Sequence, residues 1–259
     1  MKAKLKITLI LILAMGLTLS MTGCAGTASA DVQTQSKSAV GEEKTEFATD
    51  AERFKYDYES LNNYKREDDG VVLFPVEIAD DNPFVYVTMQ EAIELREEGT
   101  GVLFIGSSDC RICRMLATLI IDAVNSDDAK DNAYLDKIYY LDANEVDTQS
   151  SDYQEFQEKV LEPMYSYLQK YDEPSTNIYG VPKFIESKAA ATEEESKQVK
   201  MYKFTLSYWD DGKLLGMHVG TTPYFKDSDT PPTDEDKEEF IKRFQEITCL
   251  FGTDLCEYC

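Results

Sequence analysis

The sequence has few basic residues and a single histidine. It contains 26 Lys and Arg against 49 Asp and Glu, and its formal net charge is -23. Nucleic-acid binding driven by charge is not expected, because it requires a Lys/Arg patch that neutralises phosphates. His218 alone cannot build a histidine-rich metal site or a metalloprotease motif. We interpret the acidic excess as a solvated surface.

Motifs of several enzyme classes are missing as well. The sequence has no G-x-S-x-G elbow, no P-loop and no dinucleotide-binding fingerprint. The acidic runs at 193–195 and 234–236 lack the alternating ligands of a calcium loop. We therefore expect no cofactor and assign no metal site. His218 lies in the strand pattern 215–220, and we expect it to face outward rather than to act as a catalytic base.

The N-terminus has the pattern of an export signal. Three lysines precede the apolar run Ile7 to Leu19, which is too short for a typical membrane span. Met21-Thr22-Gly23-Cys24 follows and resembles the bacterial lipobox, in which the cysteine is lipidated and becomes the first mature residue. Cys24 is therefore the expected lipidation site and membrane anchor. The alternative is an uncleaved anchor or a plain secretory signal with an incidental cysteine.

Composition divides the chain into five segments. Residues 1–23 form the signal peptide, and residues 24–50 are small and polar, which is typical of a flexible tether. Residues 51–84 are charged and Tyr-rich, and we expect this N-terminal extension to pack on the main domain. Residues 85–250 form that domain, and residues 251–259 form a cysteine-containing tail. Cleavage after residue 23 removes three lysines and no acid, which takes the formal charge to -26.

Local patterns predict alternating strands and helices in the main domain. Thr88-Met89-Gln90-Glu91 is a capping box and predicts a helix over 89–98. The glycine-bounded apolar run Gly101 to Gly106 predicts a strand buried on both faces, as in parallel sheets. A helix is expected from Cys110 and a strand over Lys137 to Asp142, which together form a right-handed crossover.

Weaker patterns complete the prediction. They indicate a strand over Val71 to Ile78, a helix over 152–171 and an exposed insertion over 187–200. Asp210-Asp211-Gly212-Lys213 predicts the turn of a hairpin between a strand over Met201 to Trp209 and a strand over Leu214 to Val219. Thr233 is expected to cap a final helix.

Cys110-Arg111-Ile112-Cys113 lies where the buried strand gives way to a helix. A helix N-terminus favours a thiolate, so Cys110 is the predicted nucleophile and Cys113 the resolving thiol. Arg111 and Arg114 add positive charge that supports the thiolate, whereas Asp109 opposes it. In an oxidising compartment this pattern predicts thiol–disulfide exchange.

The order of these features resembles the thioredoxin superfamily. Val181-Pro182 lies where the family has a cis-proline preceded by Val, Ile or Thr. Asp211-Gly212-Lys213 and Val219-Gly220 are similar to the turn and the end of the family's later hairpin. The resemblance covers roughly residues 85–250 and implies an α/β fold with a central mixed sheet flanked by helices. It also implies that Val181 and Pro182 bind substrate backbone. The residues before the motif are similar to bacteriocin transport accessory proteins of Gram-positive bacteria.

Two departures from the family concern the redox site. Phe104 stands where the family has a buried aspartate six residues before the first cysteine, and Asp109 stands where it has tryptophan. The redox direction is therefore left open.

Three further cysteines, Cys249, Cys256 and Cys259, lie near the C-terminus. They predict a local disulfide, either Cys249 with Cys256 or Cys256 with Cys259, and the alternatives are an auxiliary redox pair or an intermolecular link. A zinc site shared with the first pair is disfavoured, because about 18 helical residues would carry the tail ~27 Å from it in the resembled fold.

The sequence as a whole predicts a lipid-anchored thiol–disulfide oxidoreductase on the extracytoplasmic face of a bacterial membrane, with Gram-positive bacteria favoured. Its expected partners are exported proteins with thiols or disulfides and a membrane or extracytoplasmic redox partner. The main alternative is a non-catalytic accessory protein, for example in bacteriocin or peptide export, and a third is metal binding through thiolates.

Overall fold

A five-stranded mixed sheet runs through the centre of the protein in the computed structural model. Its strands are β1 (Phe84–Tyr86), β2 (Gly101–Gly106), β3 (Ile138–Asp142), β4 (Thr205–Asp210) and β5 (Lys213–Val219). They lie in the order β1-β3-β2-β4-β5. β1, β3 and β2 are parallel, whereas β4 is antiparallel to β2 and β5 is antiparallel to β4.

The structure describes residues 46–164, 201, 203–219 and 230–252. These described residues belong to one compact unit. Within the described residues, no helix combines the length and the apolar character needed to cross a bilayer.

Five α-helices of the described residues flank the sheet. They are α1 (Asp50–Glu59), α2 (Met89–Glu98), α3 (Arg111–Val124), α4 (Ser151–Phe156) and α5 (Asp234–Thr248). Side chains of α1, α3 and α5 share one hydrophobic cluster with one face of the sheet. Side chains of α2 and α4 share a second cluster with the other face. The protein is therefore an α/β sandwich with a central mixed sheet.

β2 lies at the centre of the sheet, and all six of its residues are buried. Phe104 points into the α3 side, whereas Leu103 and Ile105 point into the α2 side. The prediction of a strand covered on both faces is confirmed. Its register aligns Gly106 with Asp142, so the segments that follow β2 and β3 leave the sheet at the same edge.

The predicted capping box at Thr88 and the predicted cap at Thr233 are both present. Thr88 accepts a hydrogen bond from the Glu91 amide while the Glu91 carboxylate accepts one from the Thr88 amide, and Gly99 ends α2. Thr233 and Asp236 form the same arrangement at α5, where the sequence predicted only the Thr233 cap. Such caps satisfy amides that the helix itself leaves without partners.

The hairpin between β4 and β5 turns through Asp211 and Gly212, as predicted. Both residues have positive φ, 48° and 69°, which suits the tight turn of a two-residue hairpin. A Cβ at position 212 would lie 2.5 Å from the carbonyl oxygen of Glu97 at the end of α2. Glycine is required there both by backbone conformation and by the close approach of α2.

The extension preceding β1 packs through α1. Thr49 caps this helix, and its Phe54 and Tyr58 are fully buried. The Phe54 ring stacks on Phe84 of β1 with 3.9 Å between centroids and meets Tyr140 of β3 edge-on at 4.9 Å. Aromatic packing of this kind fixes α1 against the parallel edge of the sheet.

The predicted strand over Val71 to Ile78 is wrong. This segment makes only an isolated bridge, between Val72 and Lys65. Side chains from the end of α1 and the residues after it supply hydrogen-bond partners for its backbone instead. Asn62 accepts from the amide of Val76 and donates to its carbonyl, and Glu59 accepts from the amide of Ile78. The apolar residues at 71–78 reflect partial burial of an irregular segment, with Leu73 and Ile78 buried, rather than sheet pairing.

Two other boundaries differ from the sequence prediction. The helix predicted over 152–171 begins as α4 and continues as a π-helical turn over Gln157–Leu161, and its residues beyond 164 lie outside the described part. The strand predicted to start at Met201 begins at Thr205.

Candidate redox site

The C-x-x-C motif lies at the N-terminus of α3, just beyond the end of β2. Cys110 is the N-cap residue, with extended backbone, and Arg111 is the first helical residue. Cys110 and Cys113 lie at disulfide-bonding distance, with their Cα atoms 5.2 Å apart. The helix prediction for this segment is confirmed to within one residue at its start.

The sulfur of Cys110 itself caps the helix. Its Sγ accepts a hydrogen bond from the Cys113 backbone amide at 3.2 Å, in the position where a Ser or Asp oxygen usually caps a helix. In the reduced protein the same amide and the positive end of the helix dipole would stabilise a thiolate at this position.

The two cysteines differ in access to solvent. Cys113 is fully buried, whereas Cys110 is partly exposed. A large partner can therefore reach the sulfur of Cys110 but not that of Cys113. This asymmetry matches the separate roles of an attacking and a resolving thiol.

Asp109, which precedes the motif, is hydrogen-bonded and paired with a lysine. Its Oδ1 accepts hydrogen bonds from Asn144 at 3.1 Å and from Lys203 at 3.3 Å. Burial acts to raise the pKa of Asp109, but the hydrogen bonds it accepts and the charge of Lys203 outweigh burial and lower its pKa. The carboxylate is thus ionised and its charge is offset by Lys203, which weakens its opposition to a thiolate at Cys110.

Residues of the extension touch both sides of the motif. Arg66 donates a hydrogen bond to the Asp109 carbonyl at 3.2 Å and forms an ion pair with Asp69. The guanidinium of Arg111 lies over the Phe74 ring, 4.3 Å from its centroid. Arg111 therefore contributes its charge beside the motif while its side chain rests on the extension.

Arg114 is buried directly behind the motif. Its side chain is fully shielded from solvent and donates to the carbonyls of Tyr58 at 2.6 Å, Phe74 at 2.8 Å and Ser108 at 3.0 Å, and to Oδ1 of Asn62. Burial lowers its pKa to about 10, so it stays charged at neutral pH. The sequence predicted only a nearby positive charge; an arginine within the apolar stripe of α3 was the available sign of burial.

A buried carboxyl group, Asp142, ends β3 and was missed by the sequence reasoning. It is 9% exposed and accepts a hydrogen bond from the Asn144 amide at 2.9 Å. Burial raises its pKa to about 6. At the position where the resembled family has its acid, Phe104 packs on Tyr140 and Phe84, with centroids 5.5 and 6.0 Å away.

The expectation that His218 faces outward is wrong. Its ring lies 5.5 Å from that of Tyr208 and 5.9 Å from that of Phe240 on α5, and its Nε2 atom is buried. Burial lowers its pKa to about 4, with a smaller contribution from Arg243. The alternation in β5 was assigned to the wrong face, because α5 covers the side on which His218 lies.

Several predicted site residues lie outside the described part of the chain: Cys24, Val181, Pro182, Cys256 and Cys259. Cys249 follows the last residue of α5 and is disulfide-bonded. Within the described ranges, no three His, Cys, Asp or Glu side chains are grouped to hold a metal ion.

No protein-family model matches the chain, and no curated protein or solved structure is significantly similar to it. Its function must therefore be argued from the site itself.

Proposed function

We propose that this protein is a thioredoxin-like thiol–disulfide oxidoreductase that acts on exported proteins. The observation that carries the proposal is the cysteine pair at the start of α3, in which a partly exposed Cys110 caps the helix and a buried Cys113 lies one turn further. The sheet order and the helices on both faces support the thioredoxin-like assignment.

The exchange proceeds through a mixed disulfide on Cys110. In the reductive direction the Cys110 thiolate attacks a substrate disulfide and expels one substrate thiolate, which takes up a proton. Cys113 then loses its proton and attacks Cys110 Sγ, expelling the second substrate sulfur. Two electrons pass to the substrate, and the Cys110–Cys113 disulfide forms. In the oxidative direction each step runs in reverse.

The surrounding roles follow from the same proposal. Arg111 and Asp109 tune the thiolate, and Val181 and Pro182 form the surface on which substrate backbone docks. A lipid on Cys24 holds the protein at the extracytoplasmic face of the membrane, with Gram-positive bacteria favoured. There it meets exported protein thiols and a membrane or extracytoplasmic redox partner.

Turnover of a model protein disulfide tests the proposal. The purified chain should catalyse reduction or formation of that disulfide, and Cys110→Ser should abolish catalysis because the exposed sulfur is lost. Cys113→Ser should accumulate mixed disulfides, visible by non-reducing electrophoresis, because nothing resolves them. Asp128→Asn, at an exposed aspartate beyond the C-terminal end of α3, serves as the control and should retain turnover. A wild-type protein that exchanges with no model disulfide in either direction would refute the proposal.

Phe104 favours a second candidate, a non-catalytic accessory protein that binds a partner at the membrane. This buried ring leaves no acid on β2 at the position that serves proton transfer in the resembled family. Affinity capture from a membrane extract distinguishes the two. A partner retained equally by wild type and by the Cys110→Ser/Cys113→Ser double variant supports the accessory role, whereas a partner lost with the cysteines supports exchange.

A further inference from the structure

We propose that Arg114 is a positioning residue that stabilises the reduced form of the cysteine pair, so that the protein donates its disulfide to thiols of exported proteins. This inference rests on the oxidoreductase function proposed above and adds a direction to it. It is carried by the burial of Arg114, by its contacts with the loop that bears Cys110, and by the neutral character of all its partners.

Arg114 is anchored beneath the redox loop from two sides. Its backbone amide donates to the Cys110 carbonyl at 3.1 Å, and its guanidinium donates to the carbonyl of Ser108, two residues before Cys110. Its remaining hydrogen bonds go to the extension, at Tyr58, Asn62 and Phe74. The positive charge is therefore held at a fixed place next to the motif rather than moving in solvent.

No carboxylate neutralises this charge among the residues that the structure describes. The four oxygens that accept from the guanidinium belong to three backbone carbonyls and one side-chain amide. A buried charge usually has an ionic partner, because an unpaired one is costly to desolvate. An anion that forms nearby gains more from such a charge than from a solvated one, since screening is weak in the interior.

The other charged side chains around the motif are paired or partly exposed to solvent. Asp109 is offset by Lys203, and Arg66 is paired with Asp69. Arg111 rests on Phe74 and adds charge of the same sign as Arg114. The remaining carboxyl at this edge of the sheet is Asp142, which accepts its hydrogen bond from the Asn144 amide and not from Arg114. Among the described residues, Arg114 is thus a buried cation without an ionic partner.

The reduced form of the cysteine pair supplies such a partner, and the disulfide form does not. A substrate with two thiols transfers two electrons to the Cys110–Cys113 disulfide and becomes a disulfide itself. The products on this protein are a Cys110 thiolate and a Cys113 thiol, and the second proton passes to solvent. The disulfide form carries no charge for Arg114 to stabilise. Stabilising the reduced form makes the disulfide a stronger oxidant.

Two measurements on the full chain test this inference. The pKa of the Cys110 thiol is read from the pH dependence of its alkylation, followed on the Cys110 peptide by mass spectrometry. The reduction potential is read by equilibration with reduced and oxidised glutathione. In the wild type we expect the pKa of the Cys110 thiol to lie below that of a free thiol, about 8.5. In Arg114→Met we expect it to rise by about 1 unit and the oxidising equilibrium constant to fall about tenfold, which is about 30 mV.

Two variants separate charge from structure. Arg114→Lys keeps the charge but loses donors, so it should lose thermal stability as Arg114→Met does while retaining most of the wild-type thiol pKa. Lys130→Met removes the same charge beyond the far end of α3, ~20 Å from the motif, and should change neither value.

The outcomes distinguish this inference from the proposed function. Active exchange with unchanged pKa and potential in a folded Arg114→Met overturns the role of Arg114 and leaves the oxidoreductase standing. Absence of exchange in the wild type overturns both. Should Arg114→Met fail to fold, the wild-type value decides, because a Cys110 pKa at or above that of a free thiol overturns the inference.

Discussion

Replacing Asp142 with asparagine should stabilise the protein at neutral pH but not at acid pH. Burial raises the pKa of this carboxyl from 3.8 to about 6 in the folded protein. The folded state therefore binds the proton more tightly than the unfolded state does. As pH rises from about 4 through 6 the wild type loses stability, because its folded state must ionise a buried group.

The size of the effect follows from that difference in pKa. Each unit corresponds to about 1.4 kcal/mol, so the wild type loses about 3 kcal/mol above pH 6. Asp142 is 9% exposed, so solvent screening reduces this little. Asparagine has no charge to bury, and its side-chain oxygen can still accept the hydrogen bond from the Asn144 amide. We expect Asp142→Asn to gain about 2–3 kcal/mol at pH 7.5 and close to nothing at pH 4.

Urea unfolding of the oxidised protein at pH 4 and pH 7.5, followed by circular dichroism, checks the prediction. Comparing variant with wild type at each pH cancels the contribution of other titrating groups. Asp128→Asn, at an exposed aspartate, is the matched control and should show no pH-dependent gain. An Asp142→Asn variant that is equally stabilised at both pH values, or is destabilised at pH 7.5, would refute the reasoning.

Three further predictions concern stability. Phe54→Ala should lower the free energy of unfolding by about 3–5 kcal/mol in chemical denaturation, because it empties a fully buried ring position between α1 and the sheet; a loss below 1 kcal/mol would contradict the packing. Gly212→Ala should cost about 1–3 kcal/mol, since its Cβ would meet the Glu97 carbonyl at positive φ, and an unchanged melting temperature would argue against that contact. His218 gains its proton near pH 6.5 in the unfolded state but only near pH 4 in the folded state, so the wild type should lose stability as the pH falls from about 6.5 to 4. His218→Gln should lose less stability over this range. Parallel acid unfolding curves for the two proteins would show the histidine to be solvated.

The elements best predicted from sequence are those whose signal is local. The capping box at Thr88 and the glycine-bounded run of β2 each specify their own structure within a few residues. The turn at Gly212 is likewise set by backbone conformation. The placement of Cys110 at the head of α3 belongs with these, because a strand, a short loop and a helix follow one another directly.

The surroundings of the site depended on distant parts of the chain and could not be predicted. Arg114 donates three of its four guanidinium hydrogen bonds to residues 40 to 56 positions earlier, and nothing near it in sequence reveals that they surround it. Asp142 is buried, although the sequence of its strand does not show which face of that strand is covered. His218 was misplaced because an alternating pattern gives two faces without saying which one a helix covers.

The aromatic packing of α1 has a consequence for how the chain folds. Tyr58 meets its hydroxyl partner Tyr140 across 82 residues of sequence, and β1 pairs with no strand other than β3 among those described. β1 therefore has no strand partner, and Tyr58 of α1 lacks the hydroxyl of Tyr140, until β3 has been made, and closing so long a loop is slow relative to forming a helix. During that interval Phe54 can pack on Phe84 of β1, but it and Tyr58 lack the cover that Tyr140 provides. A chain cut between the extension and β1 would expose the residues of the sheet on which Phe54 and Tyr58 pack. The extension and the sheet therefore form one cooperative folding unit.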